Sequence, residues 1–438
     1  MNTSIKVKKA NKILGIHFTY DRGLWRKLNF DEILKSIKEK LQLWNWRNLT
    51  IIGGIQIVKT FVIPIFMYRA GLVSVNKDVI KEANKIIFQF IWKGKDKVKR
   101  STLIGDVENG GLKAPHLESV VKTQRMMCCK KLAEAQPSSW KLIFLHYLKP
   151  VGGKLLLACD FDVKKLPIKL PDFYEECLKC FAEISVGSKM KNDQMSNDVA
   201  RVIIWNNKNI CVDGRSIYHS SLYKKGIVRL KDLVDDKNNL MVRKNLIQSG
   251  LLPLEIFYLM RIIDALPAQY RNSLTNNTYN SRKAFVLTDN FELRLKNQNV
   301  ALCKALSKSV YREIRSNFEC APTTQAKFEE KFGKASFNWK EIYRLPFTVA
   351  LKTKTREFQY KILNRYLVTN AFLHKIGLKP TALCTFCDEE SESLEHLFIS
   401  CCITERFWLE FIHWCNNIQI KLEDLSEVDK LFGIWDRK

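Results

Sequence analysis

Near the C-terminus, Cys384 and Cys387 are separated by two residues, His396 follows after eight more, and Cys401 after another four. Three thiols and one imidazole thus fall within eighteen positions. This is a complete ligand set for Zn²⁺, which favours four tetrahedral soft or borderline donors. A Cys-x2-Cys turn presents two thiolates to one ion, and the His and last Cys close the site from the following segment. A site closed by four protein ligands leaves no position for an activated water, so the expected role is structural. The competing reading is a set of buried free cysteines beside an unrelated histidine, since free Cys packs like a small apolar residue. Cys402, next to Cys401, could replace it by a one-residue shift, so the fourth ligand stays open between the two. Asp388, Glu389, Glu390, Glu392 and Glu395 crowd the same stretch and make it a poor phosphate-binding surface.

The elements that must position these ligands belong to a chain of 438 residues, long enough for two or three domains with real cores, and 46% hydrophobic residues exclude a largely disordered protein. Lys and Arg exceed Asp and Glu by 72 minus 45, or +27. That excess calls for a polyanionic partner, because neutralising phosphates releases condensed counterions. Residues 1–150 carry 28 basic and 11 acidic side chains, a net of +17 in about a third of the chain, and are the expected nucleic-acid face. Thirteen scattered cysteines and a polar, basic first segment point to a reducing, intracellular setting, nuclear or cytoplasmic. Ile51 to Val75 is the most apolar stretch, but Gln56, Lys59, Pro64 and Arg69 interrupt it, so no transmembrane helix and no membrane partner are expected.

Periodicity predicts a mainly α protein. Ile13 to Tyr20 reads as a strand ending in the turn Asp21-Arg22-Gly23. Ile33, Ile37, Leu41 and Trp44 line one face of a helix whose other face carries Lys35, Lys38 and Lys40. Thr50 caps the next helix, which Pro64 kinks or ends. Val79 to Ile91 and Ser119 to Ala135 give further helices, as do Leu251 to Leu266 and Gln298 to Phe318. Asn109-Gly110-Gly111 marks a turn, and the polar run Gly187 to Asp198 reads as a linker. There is no internal repeat.

Several motifs invite a functional reading. The basic loop Lys93, Lys95, Lys97, Lys99 and Arg100 is suited to phosphates, with Gly94 allowing close backbone approach. Arg47 and Lys59 are the candidates for backbone contacts in the preceding helices, whereas Trp44 and Tyr68 are expected in the core. Cys177-x2-Cys180 has no further ligand at the right distance and reads as packing. Asp235-Asp236 could hold Mg²⁺ for nucleotidyl transfer, but the following Lys237-Asn-Asn makes a surface turn the expected reading. No phosphate-cradling Gly-Lys-Ser/Thr loop occurs.

The ordered set of these residues resembles the C-terminal half of the reverse-transcriptase polyprotein of LINE-type non-LTR retrotransposons. Ile13-Leu-Gly-Ile16 is similar to the hairpin that follows the polymerase palm. Trp44, Arg47, Leu49-Thr50, Gly53, Lys59, Pro64 and Tyr68 resemble the thumb helices, and Phe90-Ile-Trp92, Arg100 and Gly110-Gly111-Leu112 continue the pattern. Ile204-Trp-Asn-Asn207, Gly226-Ile227 and Asp232-Leu233 are similar to the middle segment. Trp339, Ile342-Tyr343, Leu345-Pro346 and Phe358 to Leu363 resemble the region before the zinc motif, itself matched by Cys384, Cys387, His396 and Cys401 with Trp408 downstream.

The resemblance implies a remnant of the post-palm hairpin over residues 1–22, a basic thumb-like helical domain over 23–150, a connector over 151–200, a helical middle region over 201–335, and a C-terminal region with the zinc knuckle over 336–438. It further implies an RNA or DNA partner, such as a template-primer duplex or element RNA. The family's palm, with its aromatic-x-Asp-Asp metal site, would lie upstream of Ile13, and the apurinic-type endonuclease is not matched. Only 37 residues follow Cys401, too few for the restriction-like nuclease of some relatives, so a chain that neither polymerises nor cuts is expected. A zinc-stabilised module for an acidic protein partner and a non-functional retrotransposon remnant remain as alternatives.

Overall fold

The computed structural model describes residues 9–185, 199–235, 239–242, 246–247, 250–275, 291–333, 337–422 and 425–433. It is predominantly helical, and the strands of the described residues form three small two-stranded antiparallel pairs. The chain divides into two compact units. One is built from residues 1–66, 76–117 and 315–438, the other from 67–75 and 118–314. The expected linker Gly187 to Asp198 lies outside the described residues.

In the first unit, Ala10–Ile13 and Ile16–Thr19 pair as a hairpin around Leu14 and Gly15, both at positive φ. The single strand expected from Ile13 to Tyr20 is therefore a hairpin, because the Leu-Gly pair supplies the left-handed turn that lets the chain reverse. Buried Asn29 holds it: its Oδ1 accepts from His17 N at 3.0 Å and its Nδ2 donates to His17 O at 2.8 Å.

The helix Glu32–Asn45 buries Ile33, Leu34, Ile37 and Leu41 and exposes Lys35, Lys38 and Lys40, as its amphipathic spacing requires. Thr50 opens the next helix by accepting from Gly53 N. Pro64 does not end that helix, which continues from Ile51 to Ala70. A π-turn over Val58–Val62 precedes it, with Ile63 N donating to Val58 O. The extra residue in that turn widens the backbone where the proline ring would meet the carbonyl four positions back. Among the described residues this is the one helix long and apolar enough to cross a membrane, yet Ile55, Val58, Val62 and Phe66 are buried in the protein core. The helix Lys77–Trp92 is capped by Asn76 and buries Val79, Ala83, Ile87 and Ile91 at helical spacing.

The C-terminal part of the chain packs into this same unit. The Ile51 amide donates to Glu357 Oε2 at 2.9 Å, so a carboxylate from the helix Thr353–Leu363 sits at the start of the helix Ile51–Ala70. That is where the helix dipole favours negative charge. Trp92 meets Tyr366 edge to face, with ring centroids 5.8 Å apart. Gly110, at φ +81°, is the other contact: a Cβ there would stand 2.4 Å from Pro322 Cγ and 3.1 Å from the Tyr343 ring. Trp92 and Gly110 of the sequence pattern thus pack against Tyr366, Pro322 and Tyr343.

The second unit forms around Arg125, whose side chain is 1% exposed. Its Nε donates to Glu176 Oε2 at 2.9 Å, its two terminal nitrogens donate to Ala70 O and Val73 O, and its guanidinium lies 4.4 Å from the Phe173 ring centre. Trp205 is fully buried and donates to Ile227 O at 2.9 Å, and Asn206, at φ +52°, donates to Val151 O. Cys177 and Cys180 are buried on the helix Asp172–Ala182 as packing residues. The expected helix from Gln298 begins only at Ser307, because Glu292–Leu295 and Gln298–Ala301 pair as a hairpin across Lys296 and Asn297, both at positive φ. Asp235 Oδ1 accepts from Asn239 N at 2.8 Å, while Asp236 lies outside the described residues.

Removing the Arg125 side chain leaves a half-buried carboxylate and two carbonyls without their cation. Arg125→Ala is expected to cost about 3–5 kcal/mol in urea unfolding. A loss under about 1 kcal/mol would show that this network does not organise the unit.

Candidate metal centre

Four ligand atoms meet at one point. One donor atom each from Cys384, Cys387, His396 and Cys401 lies within 4.8 Å of all the others. Cys384 Sγ stands 3.9 Å from Cys401 Sγ, and Cys387 Sγ stands 3.4 Å from His396 Nε2. A tetrahedral ion with Zn–S near 2.3 Å and Zn–N near 2.0 Å requires separations of about 3.8 and about 3.6 Å for such pairs. The set therefore fits Zn²⁺, with His396 offering Nε2. Cys401 rather than Cys402 is the fourth donor. Cys401 is fully buried at the head of the helix Cys402–Asn417, whereas Cys402 is exposed on its first turn.

Local backbone explains how four residues at this spacing converge. Cys384 and Cys387 bracket a tight turn in which the Phe386 amide donates to Cys384 Sγ at 3.4 Å. His396–Ser400 is a π-turn, closed by the Cys401 amide donating to His396 O at 2.9 Å. In an α-helix, residues five apart point about 140° away from each other. The wider i to i+5 turn brings His396 and Cys401 to one side.

The thiols are tuned by this backbone. Backbone N–H groups of Glu390 and Glu389 aimed at its sulfur, helped by His396, push the Cys387 thiol down to about 6. Cys384 is pushed up by burial, against donation from the Cys387 and Phe386 amides. The thiolate is the form that binds metal, and N–H groups that stabilise it preorganise the site.

Two of the acids that look like surface charge in the sequence, Glu392 and Glu395, have structural partners. Glu390 Oε2 lies 2.9 Å from His396 Nδ1, on the side of the ring where an outer-shell carboxylate would stand, but outside hydrogen-bond geometry. Glu392 is 5% exposed and accepts from Asn370 N, Thr385 N and Thr385 Oγ1 at 2.8 to 2.9 Å. Burial alone would raise its pKa, but these donors and Lys379 outweigh it and hold the carboxyl below its ordinary value. Asn370 in turn donates to Leu383 O and accepts from Lys379 Nζ at 2.7 Å. Glu395 pairs with Arg365 at 2.5 Å and Lys331 at 3.6 Å. No spacing signal in the sequence separates these acids from solvated ones.

The knuckle is fastened to a large aromatic core. Leu394 and Ile399 join Phe328, Ile342, Tyr343, Ile362 and Phe432, and Phe398 packs against the same cluster. Phe337 stacks on Trp339 at 4.7 Å, and Phe328 meets Phe432 edge to face at 5.1 Å. Trp408, on the helix that leaves the site, donates to Phe398 O at 3.0 Å.

Residues 307–408 match the protein-family model described as zinc-binding in reverse transcriptase. The match includes all four ligands, Trp339, Tyr343 and Glu392, and it ends on Trp408. The C-terminal third thus carries a zinc-binding domain of the reverse-transcriptase type, and its Cys3His cluster is a structural zinc site.

The residues expected to touch nucleic acid lie outside the matched segment, in the same compact unit as the four zinc ligands. Lys93, Lys95, Lys97 and Lys99 are exposed, and among the described residues their ammonium groups make no hydrogen bond or ion pair. Arg100 is engaged, by Asp96 at 2.7 Å and over the Phe88 ring at 4.7 Å. Arg47 is exposed and its guanidinium lies 5.4 Å from the Trp44 ring centre. Lys59 is half-buried, and burial together with the nearby cations Lys113 and Arg315 lowers its pKa. Trp44 is half-buried against Phe61, but Tyr68, expected in the core, is 54% exposed. It falls on the outward face of a helix whose inward face is already filled by Val62 and Phe66.

One zinc per chain is expected by native mass spectrometry, lost in Cys387→Ser and Cys401→Ser and kept in Cys402→Ser. The reverse pattern for the last two would reassign the fourth ligand. Because the Glu392 carboxyl is held low in the folded state, it contributes stability above the unfolded carboxylate range that is lost as pH falls through its folded value. Glu392→Gln should cost about 2–3 kcal/mol at neutral pH and flatten the acid limb of the stability profile, measured by urea unfolding from pH 3 to 7. An unchanged acid limb would contradict that role.

Proposed function

We propose that this chain is the nucleic-acid-holding part of a LINE-type retrotransposon reverse transcriptase, a thumb-like basic helical face joined to the zinc-binding segment. Copying is then the work of a polymerase palm outside this chain. The zinc ion, held by four protein ligands, supplies rigidity rather than chemistry. RNA or DNA duplex is held through phosphates by Lys93, Lys95, Lys97 and Lys99, with Arg47 and Lys59 as further contacts and Arg100 shaping the loop through Asp96 and Phe88.

The observation that carries this reading is the set of four exposed lysines within seven positions, without internal ion-pair partners among the described residues, in a unit that also contains the four ligands of a reverse-transcriptase zinc domain. Surface lysines left unpaired cost little in solution and gain by counterion release once phosphates arrive. The net +17 of residues 1–150 adds a field that steers polyanions.

The test is the salt dependence of binding to an RNA–DNA duplex and to double-stranded RNA in filter assays. The logarithm of affinity should fall linearly with the logarithm of salt, and Lys95→Ala/Lys97→Ala/Lys99→Ala should reduce that slope by about three, one per lost phosphate contact. Affinity indifferent to salt, or efficient competition by acidic proteins in place of RNA, would overturn the proposal in favour of a protein-binding module.

A further inference from the structure

Beside the basic loop, a groove of about 360 Å³ runs between the helices Glu32–Asn45 and Lys77–Trp92. Its apolar floor includes Phe90 and Leu41, which are 9% and 3% exposed. Its walls carry three carboxamides, Gln42 and Asn45 from one helix and Gln89 from the other, with Lys38 and Lys93 on either side. Among the described residues, none of these five polar side chains makes a hydrogen bond or ion pair. Gly94, at φ +147°, has no atom within 4 Å of where a Cβ would stand, so the backbone at one end of the groove is open to close approach.

We propose that this groove takes one unpaired nucleotide at the end of, or bulged from, the nucleic acid that the basic loop holds. The inference rests on the function proposed above and adds to it a preference that charge alone does not give. A carboxamide offers one acceptor and two donors and pairs in two-pronged fashion with the edge of a base, while the apolar floor accepts the base face. Lys38 and Lys93 stand where the flanking phosphates would lie. A base already paired in a duplex has its edge engaged and its faces stacked, so the occupant is a nucleotide outside the helix. The size of the groove falls in the range of small-ligand sites.

The experiment uses the full chain, zinc-loaded, with two fluorescein-labelled RNA–DNA duplexes that differ by a single unpaired 3′ nucleotide. The chain should bind the overhang probe about tenfold more tightly than the blunt one, and 2-aminopurine at the unpaired position should change its fluorescence on binding. Gln42→Leu/Gln89→Leu should remove that preference while leaving blunt-duplex affinity and its salt slope unchanged. Gln42→Glu, which places a negative charge in the groove beside Lys93, should also remove the preference and should weaken blunt-duplex binding as well; both variants should keep the parental melting temperature. Equal binding of blunt and overhang probes by the unaltered chain would overturn the groove proposal and leave the basic-face reading intact. Absence of binding to either probe at low salt would overturn both.

Discussion

Convergence of three sulfurs and one imidazole nitrogen is the constraint on which the C-terminal part of this protein depends. Such a cluster of thiols and imidazole gains its free energy from the ion, and the ion in turn fixes the turn Cys384 to Cys387, the π-turn after His396 and the start of the helix Cys402–Asn417. These short elements have little core of their own. Leu394, Phe398 and Ile399, held between ligands, carry the metal's rigidity into the aromatic cluster around Phe328, Trp339 and Phe432. From there the helix Thr353–Leu363 presents Glu357 to the first turn of the helix Ile51–Ala70, and the segment after it brings Tyr366 to Trp92 at the root of the basic loop. A metal centre near residue 390 and a loop near residue 95 are thereby parts of one packed body.

Charge is divided within this unit with a physical logic. Of the acids near the metal, Glu392 lies in a buried hydrogen-bond network and Glu395 stands against Arg365 and Lys331, while Asp388, Glu389 and Glu390 are exposed. The lysines at 93, 95, 97 and 99 are exposed and remain unpaired among the described residues. An acid committed to folding does not repel phosphates as a free one would, and an uncommitted lysine loses no internal partner on binding. A site with all four positions filled by protein has a structural use, and the family match to a reverse-transcriptase zinc domain agrees with that use.

Much of this was legible in the sequence, for identifiable reasons. Soft donors at short spacing announce a zinc site without any knowledge of the fold, and apolar residues at helical period locate the helices Glu32–Asn45 and Lys77–Trp92. What escaped depends on partners distant in sequence or on backbone detail. Pro64 reads as a break because nothing in the local pattern shows that the turn over Val58–Val62 has an extra residue to receive it. The second strand of the hairpin, Gln298–Ala301, reads as the start of a helix because the turn before it carries no glycine. Glu357, Glu392 and Arg125 look like ordinary surface charges, and only tertiary contacts reveal them as buried or capping groups. Cys401 could be separated from Cys402 once the π-turn was seen to place its sulfur beside Cys384. The four-residue gap between His396 and Cys401, which does not suit an α-helix, was the one local hint of that turn.

Hydrogen exchange by mass spectrometry on zinc-loaded and chelator-treated protein tests the central claim most directly, since it reads where order is lost when the ion is removed. The account predicts loss of protection at residues 384–401, extending to 339–366 and, through Glu357 and Tyr366, to the helix starting at Ile51 and the segment around Trp92. Loss confined to the knuckle, with residues 51–57 and 88–92 protected as before, would contradict it.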